Sequence, residues 1–123
     1  MYITKQKKMK VIIAGGRDFN NYELLKERCD YFLQNQTDIE IVSGNANGAD
    51  KLGEQYAIEK NYSLKIFKAE WDKYGKSAGM IRNTEMSNYG DTLIAFWDGK
   101  SKGTSHMINE SRKKNLKVRV INY

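Results

Sequence analysis

A pattern that occurs three times constrains this chain more than anything else in it. A short apolar run ends in a glycine-containing loop, and an amphipathic segment follows. VIIAGGRDF does this near the start, IVSGNANGAD in the middle and LIAFWDGKSKGT near the end. The first run is rich in β-branched residues and does not alternate with polar ones, as expected of a strand buried on both faces. Such strands belong to parallel sheets covered by helices on both sides.

Taken in order, the chain reads as strand and helix, repeated. Residues 10–14 form the first strand. Asn20 or Asn21 caps a helix whose Tyr22, Leu25, Cys29, Phe32 and Leu33 recur at helical spacing and face the sheet. Residues 39–42 are the second strand. Ala49, Leu52, Tyr56 and Ala57 mark the second helix, which Asn61 stops. Residues 64–67 are a third strand, 70–76 a loop and 78–89 a helix. Residues 92–97 are the most apolar strand and are expected at the sheet's centre. A last helix over 104–114 turns Met107, Ile108 and Ser111 inward, and an alternating strand over 116–121 closes the chain. This order predicts an α/β, Rossmann-like, doubly wound domain with a five-stranded, mostly parallel sheet and helices on both faces. Residues 1–9 read as a basic leader or edge segment, and 10–123 as the domain.

Composition narrows the setting. A chain of 123 residues, 40% of them hydrophobic, suits one domain with one core. No apolar run approaches the roughly 18 residues of a membrane span. The single cysteine cannot form an internal disulfide, so a reducing, cytoplasmic setting is expected. Cys29 itself reads as helix core. The net charge of +6 is uneven: residues 1–10 carry +4, residues 11–72 carry −4 and residues 73–123 carry +6. The carboxyl-terminal part therefore favours an anionic ligand such as a phosphate. Lys113 and Lys114 read as solvated helix-face residues. Residues 11–123 together carry only +2, which argues against a large phosphate-tracking surface.

All three glycine junctions fall at carboxyl ends of expected strands, where open α/β sheets bind ligands. Glycine lets the backbone approach a ligand, and the following helix directs amides toward an anion. Gly15, Gly16 and Arg17 form the first wall; Arg17 suits bidentate pairing with a phosphate or carboxylate. Ser43, Gly44, Asn45 and Gly48 form the second. Asp50 beside them is placed either to cap a helix or to meet a ribose hydroxyl. Gly99, Ser101, Gly103 and Thr104 form the third, next to Asp98. Arg82 and Asn83, in KSAGMIRNTEM, could hold a phosphate or a base edge. Each arginine has a structural alternative in an ion pair with Asp18, Asp50 or Asp98. Trp71 and Trp97 read as core or as a stacking surface. His106, the single histidine, reads as a surface helix position. It has no Cys or His cluster around it for a metal and no Ser-His-Asp pattern. Neither a metal nor a cofactor is called for.

The segments IIAGGRDF, IVSGNANGAD, AGMIRN and FWDGKSKGTSHMI span most of residues 11–108. In order and spacing they resemble the SLOG superfamily, Rossmann-like domains that include LOG/lysine-decarboxylase-like proteins and DprA, and within it the small YspA-related branch. The resemblance implies a sheet ordered 3-2-1-4-5 and a nucleotide or nucleotide-derivative pocket over its carboxyl edge. LOG-type phosphoribohydrolases carry a PGGxGTxxE loop whose glutamate is catalytic. Here Gly103 and Thr104 match it, but Met107 stands at the glutamate and the Pro-Gly-Gly opening is missing. A thioether cannot act as a base, so Glu110 or Asp98 would have to substitute. SGNANGAD also resembles the SGxAxGID segment of DprA, which binds single-stranded DNA.

The resulting expectation is a binding module without a catalytic residue of its own. It would sense or sequester a nucleotide-derived small molecule of the ADP-ribose-like or cyclic-nucleotide class. A LOG-like phosphoribohydrolase and a DprA-like binder of single-stranded nucleic acid are the alternatives. By the same resemblance, an effector protein and a second copy of the chain are the expected protein partners.

Overall fold

In the computed structural model, which describes residues 8–123, the chain runs β1 (Met9–Gly15), α1 (Tyr22–Phe32), β2 (Ile39–Ser43), α2 (Ala49–Lys60) and β3 (Ser63–Ile66). It continues through α3 (Trp71–Tyr74), a 3-10 turn (Gly75–Ser77), α4 (Ala78–Tyr89), β4 (Thr92–Trp97), α5 (Lys102–Lys113) and β5 (Lys117–Asn122). All the strand pairs are parallel, and the order is β3-β2-β1-β4-β5. The first seven residues of the expected leader lie outside the described residues, and Met9 already opens β1.

Alternate residues of a strand face opposite sides of the sheet. In β1, Val11 and Ile13 pack under α1 and α2 with Leu25, Cys29, Tyr56 and Ala57. Ile12 and Ala14 pack on the other face with Met86 of α4 and Met107 and Ile108 of α5. β4 divides the same way: Ile94 and Phe96 join the first layer, Leu93 and Ala95 the second. Both sides of these strands are covered, so their sequences have no reason to alternate.

Local signals explain the helix ends. Asn21, one of the two candidate caps, accepts a hydrogen bond from Leu24 N at 3.0 Å. Asn61 ends α2 in the left-handed conformation, with φ 59°, a conformation Asn tolerates. Cys29 is fully buried, and burial pushes its thiol well above the ordinary range, so it stays protonated as core.

Three expectations are corrected. The middle strand is β1 rather than the more apolar β4, which lies beside it. Both are covered on both faces, so hydrophobicity cannot order them. The stretch 70–76, expected as a loop, holds α3 and the 3-10 turn; Glu70 O accepts from Lys73 N and Tyr74 N. Neither segment buries a residue, so no apolar period announces it. The third strand begins at Ser63 and ends at Ile66, a one-residue shift from the expected bounds.

The topology also places the site. From β1 the chain moves to β2 through α1 on one face. From β4 it moves to β5 through α5 on the other. Adjacent strands whose connections diverge leave a crevice beyond their carboxyl ends, here beyond Gly15 and Trp97.

Candidate functional site

A cleft of about 460 Å³ occupies that crevice. Its first wall is made by two loops held against each other. Gly16 N donates to Phe96 O at 3.1 Å, and Ala49 N donates to Gly16 O at 3.1 Å. Gly48 makes the approach possible. Its φ is 79°, and a Cβ there would lie 2.2 Å from Gly16 O and 2.6 Å from Arg17 O. Only glycine combines that backbone conformation with that proximity. The GGR and SGNANGAD loops are therefore one surface.

Asp50 does not cap α2. Gly48 occupies the cap position, and Asp50 lies inside the first turn. Its carboxylate Oδ2 reaches back to accept from Ala46 N at 3.1 Å. The residue is only 5% exposed. Burial pushes its carboxyl up to about 6, opposed by the Ala46 amide and by the charges of Arg82 and Arg17. The positive end of α2 thus already faces a carboxyl group, and its first amide is bonded to Gly16 O. An amide cradle waiting for a phosphate, as the glycine loop led us to expect here, is not what this loop presents.

Arg82 crosses from α4 to the same wall. Its Nη1 donates to Gly44 O at 2.6 Å and its Nε to Asn83 Oδ1 at 3.1 Å. Because Arg82 can only donate, Asn83 must turn its oxygen toward Nε and its Nδ2 the other way. Nδ2 then donates to Gly103 O at 3.3 Å and contacts His106 Nδ1 at 3.2 Å. That contact requires His106 Nδ1 to be the acceptor, which places the ring proton on Nε2, 3.5 Å from Glu110 Oε1. His106 is accordingly not the free surface residue expected. Its side chain is 19% exposed and joins α5 to α4. A relay from Glu110 through His106 and Asn83 holds Arg82 in place.

The sequence-derived residues separate into three groups. Gly15, Gly16, Arg17, Asp50, Arg82 and Asn83 line the cleft, as do Asp98, Ser101, Gly103 and Thr104 across from them. Gly44 and Asn45 line an adjoining hollow of about 310 Å³, which Arg17 and Arg82 also border. Ser43, Gly48 and Gly99 line neither. Ser43 is fully buried, and its Oγ donates to Glu54 Oε2 at 2.7 Å; Asn45 Nδ2 donates to the same oxygen at 2.9 Å. Glu54 was not anticipated, although it stands one helical turn after Asp50 on the same face of α2. Gly99 sits at the turn after β4 with φ 81° and open space around it.

The third wall is preorganised by Asp98. Its Oδ1 accepts from Lys100 N and Ser101 N, both at 2.8 Å, and these bonds hold its carboxyl below the ordinary range. Ser101 then caps α5 by accepting from Thr104 N at 3.4 Å. Trp97 Nε1 donates to Ser101 O at 3.0 Å, so this indole belongs to the wall. Trp71 is 51% exposed and borders both the cleft and the hollow. Lys76 and Met80 also line the cleft and carried no sequence signal. Neither Arg17 nor Arg82 takes part in an ion pair among the described residues. Among the same residues no cluster of three His, Cys, Asp or Glu side chains could hold a metal, and no helix is long and apolar enough to cross a membrane.

Residues 9–74 match the family model described as the YspA, cpYpsA-related SLOG family. The chain belongs to that family. The Gene 61 protein of Mycobacterium phage D29 is 30% identical over 116 residues, covering 89% of this chain and 93% of that protein. Among solved structures, DNA processing protein A (DprA) from Streptococcus pneumoniae superposes with a TM-score of 0.73 at 16% identity. That match covers 94% of this chain and 50% of DprA, so the chain spans about half of that protein's length. At this identity the likeness shows the fold. Within this SLOG domain the family match contains the GGR and SGNANGAD walls, whereas Arg82, Asn83 and the DGKSKGT wall lie beyond it. Met107, which the motif resemblance sets against the LOG glutamate, is 1% exposed and lines the cleft. Glu110 lies outside the lining and is turned to His106 and to Lys113, 3.6 Å away.

Proposed function

We propose that this SLOG domain binds a nucleotide-derived small molecule, of the ADP-ribose-like or cyclic-nucleotide class, in the cleft beyond β1 and β4. The observation that carries this reading is the pair Arg17 and Arg82. Both border the cleft, and neither is within ion-pair distance of a carboxylate among the described residues, although Asp50 attracts Arg82 from farther off. Arg17 makes no hydrogen bond within the described chain, and its whole guanidinium fork is available to an anion. Arg82 is held by Gly44 and Asn83 and acts as a fixed charge. Trp71 offers an exposed indole for a base to stack on, a contact worth about 1–3 kcal/mol. Asp98 binds backbone amides through Oδ1 and leaves Oδ2 for a ribose hydroxyl.

Binding without turnover is the reading the lining favours. The LOG glutamate position holds a thioether, and Glu110 points to His106 instead. Three carboxyls do line the cleft: Asp50 and Asp98 are bonded to backbone amides, and Asp18 accepts from the Tyr123 hydroxyl at 2.6 Å.

Isothermal titration calorimetry with the nucleotide released from purified protein, identified by mass spectrometry, tests the reading. Arg17→Ala should weaken binding by about tenfold or more, the equivalent of losing a charge-assisted hydrogen bond. Unchanged affinity would move the pocket elsewhere. Conversion of a nucleoside monophosphate to free base and sugar phosphate would favour the phosphoribohydrolase alternative. Tight, salt-sensitive binding of single-stranded DNA would favour the nucleic-acid one.

A further inference from the structure

The cleft has a neighbour that the reading above does not use. The hollow of about 310 Å³ opens beyond β2 and the segment after β3, between Gly44, Asn45, Asn47, Lys68 and Ala69. It shares Arg17, Ala46, Trp71 and Arg82 with the larger cleft. Each space is of a size that small-molecule sites occupy, roughly 300 Å³ upward. We propose that the two are compartments of one site, which takes a two-ended ligand: a heterocycle in the larger compartment, a sugar in the smaller, and an anionic linker at the shared neck. This rests on the nucleotide-binding reading and deepens it.

The chemistry of the neck supports an anion there. Burial does most to disfavour protonation of Arg82, the charge of Asp50 opposes it, and Arg17 is near enough to add a smaller effect in the same direction as burial. Two like charges facing one space without an ion-pair partner leave a place for a diphosphate. Gly44 lets Arg82 and Asp50 pack against the loop backbone at the neck. A Cβ at that position would come within 2.8 Å of both Arg82 Nη1 and Asp50 Oδ2.

The compartments differ in a way that orients the ligand. The larger is floored by Ala14, Met86 and Met107, with Met80 at its side, which suits a flat heterocycle. The smaller offers amides and an ammonium group. Asn47 and Lys68 are exposed and make no hydrogen bond or ion pair within the described chain, so both are available to sugar hydroxyls or a terminal phosphate. Trp71 stands between the two. A mononucleotide would fill the first compartment, bring its phosphate to the neck and leave the second empty.

Calorimetric titration of the full chain with adenosine monophosphate, ADP and ADP-ribose at one salt concentration decides the matter. ADP-ribose should bind at least about tenfold tighter than either shorter probe. The double substitution Asn47→Ala/Lys68→Ala should abolish that advantage and leave the monophosphate within about twofold of its original affinity. A thermal melt of the variant, expected unchanged, verifies its fold. ADP-ribose binding no tighter than ADP, or a double variant that weakens all three probes alike, overturns the two-compartment site while leaving the nucleotide reading intact. If none of the three binds the unaltered chain, the two-compartment site falls, and the nucleotide reading is decided separately by the titration with the nucleotide released from the purified protein.

Discussion

Asp50 shows how one residue can carry opposing demands. Its carboxyl bonds the Ala46 amide and sits beside Arg82, yet it is almost wholly buried. Burial dominates, and the folded-state value rises from 3.8 to about 6. The sign follows from proton counting. Between these values the folded state binds more protons than the unfolded one, so this group's contribution to stability falls as pH rises from 3.8 to about 6. Asp50→Asn keeps an oxygen for Ala46 N but cannot ionise. Its melting temperature, relative to the unaltered protein, should climb over that pH range and level off above it. Paired thermal melts from pH 4 to 7 would show this, and a difference independent of pH would exclude it. The sequence placed Asp50 at the site but left open whether it capped the helix or met a ligand. Burial decides its chemistry, and the charge of Arg82, 32 residues away in sequence, opposes it; both belong to the tertiary structure.

At the scale of elements, the junction of α4 and α5 deserves the closest test because it sets Arg82. Asn83 is 6% exposed and makes the bonds that cross between the helices. Asn83→Ala would leave Arg82 Nε, Gly103 O and His106 Nδ1 without these partners. The cost of stranding buried polar groups is about 1–3 kcal/mol, readable in urea denaturation. An effect near zero would mean that water replaces the amide without loss. Much of this level was legible. Asn21 and Asn61 at the helix ends, the stripe Leu25, Cys29 and Leu33, and the inward Met107, Ile108 and Ser111 follow from helical spacing and end chemistry. α3 was not, because a four-residue helix with no buried side chain leaves no periodic trace.

For the whole molecule, β1 and β4 tie both helical layers to a single sheet. Phe96 is fully buried and stacks on Phe19 with ring centroids 4.8 Å apart. Phe96→Ala should cost about 3–5 kcal/mol through the cavity it leaves. Because both layers share the same strands, the loss should appear in one transition, with circular dichroism and tryptophan fluorescence coinciding. Separate midpoints would show that the two layers unfold independently. By itself the sequence determined the alternation of elements, the two-sided burial of the inner strands and the glycine loops at their carboxyl ends. Those features are written in local periods and in residues that only certain backbones tolerate. Tertiary structure alone decided which polar groups face the cleft. Ser43 and Asn45 turn to Glu54, His106 joins two helices, and Trp71 stands exposed between two compartments. The contact that fixes the neck, Arg82 to Gly44, joins residues 38 positions apart. No local pattern encodes such a meeting; the order of the strands brings it about.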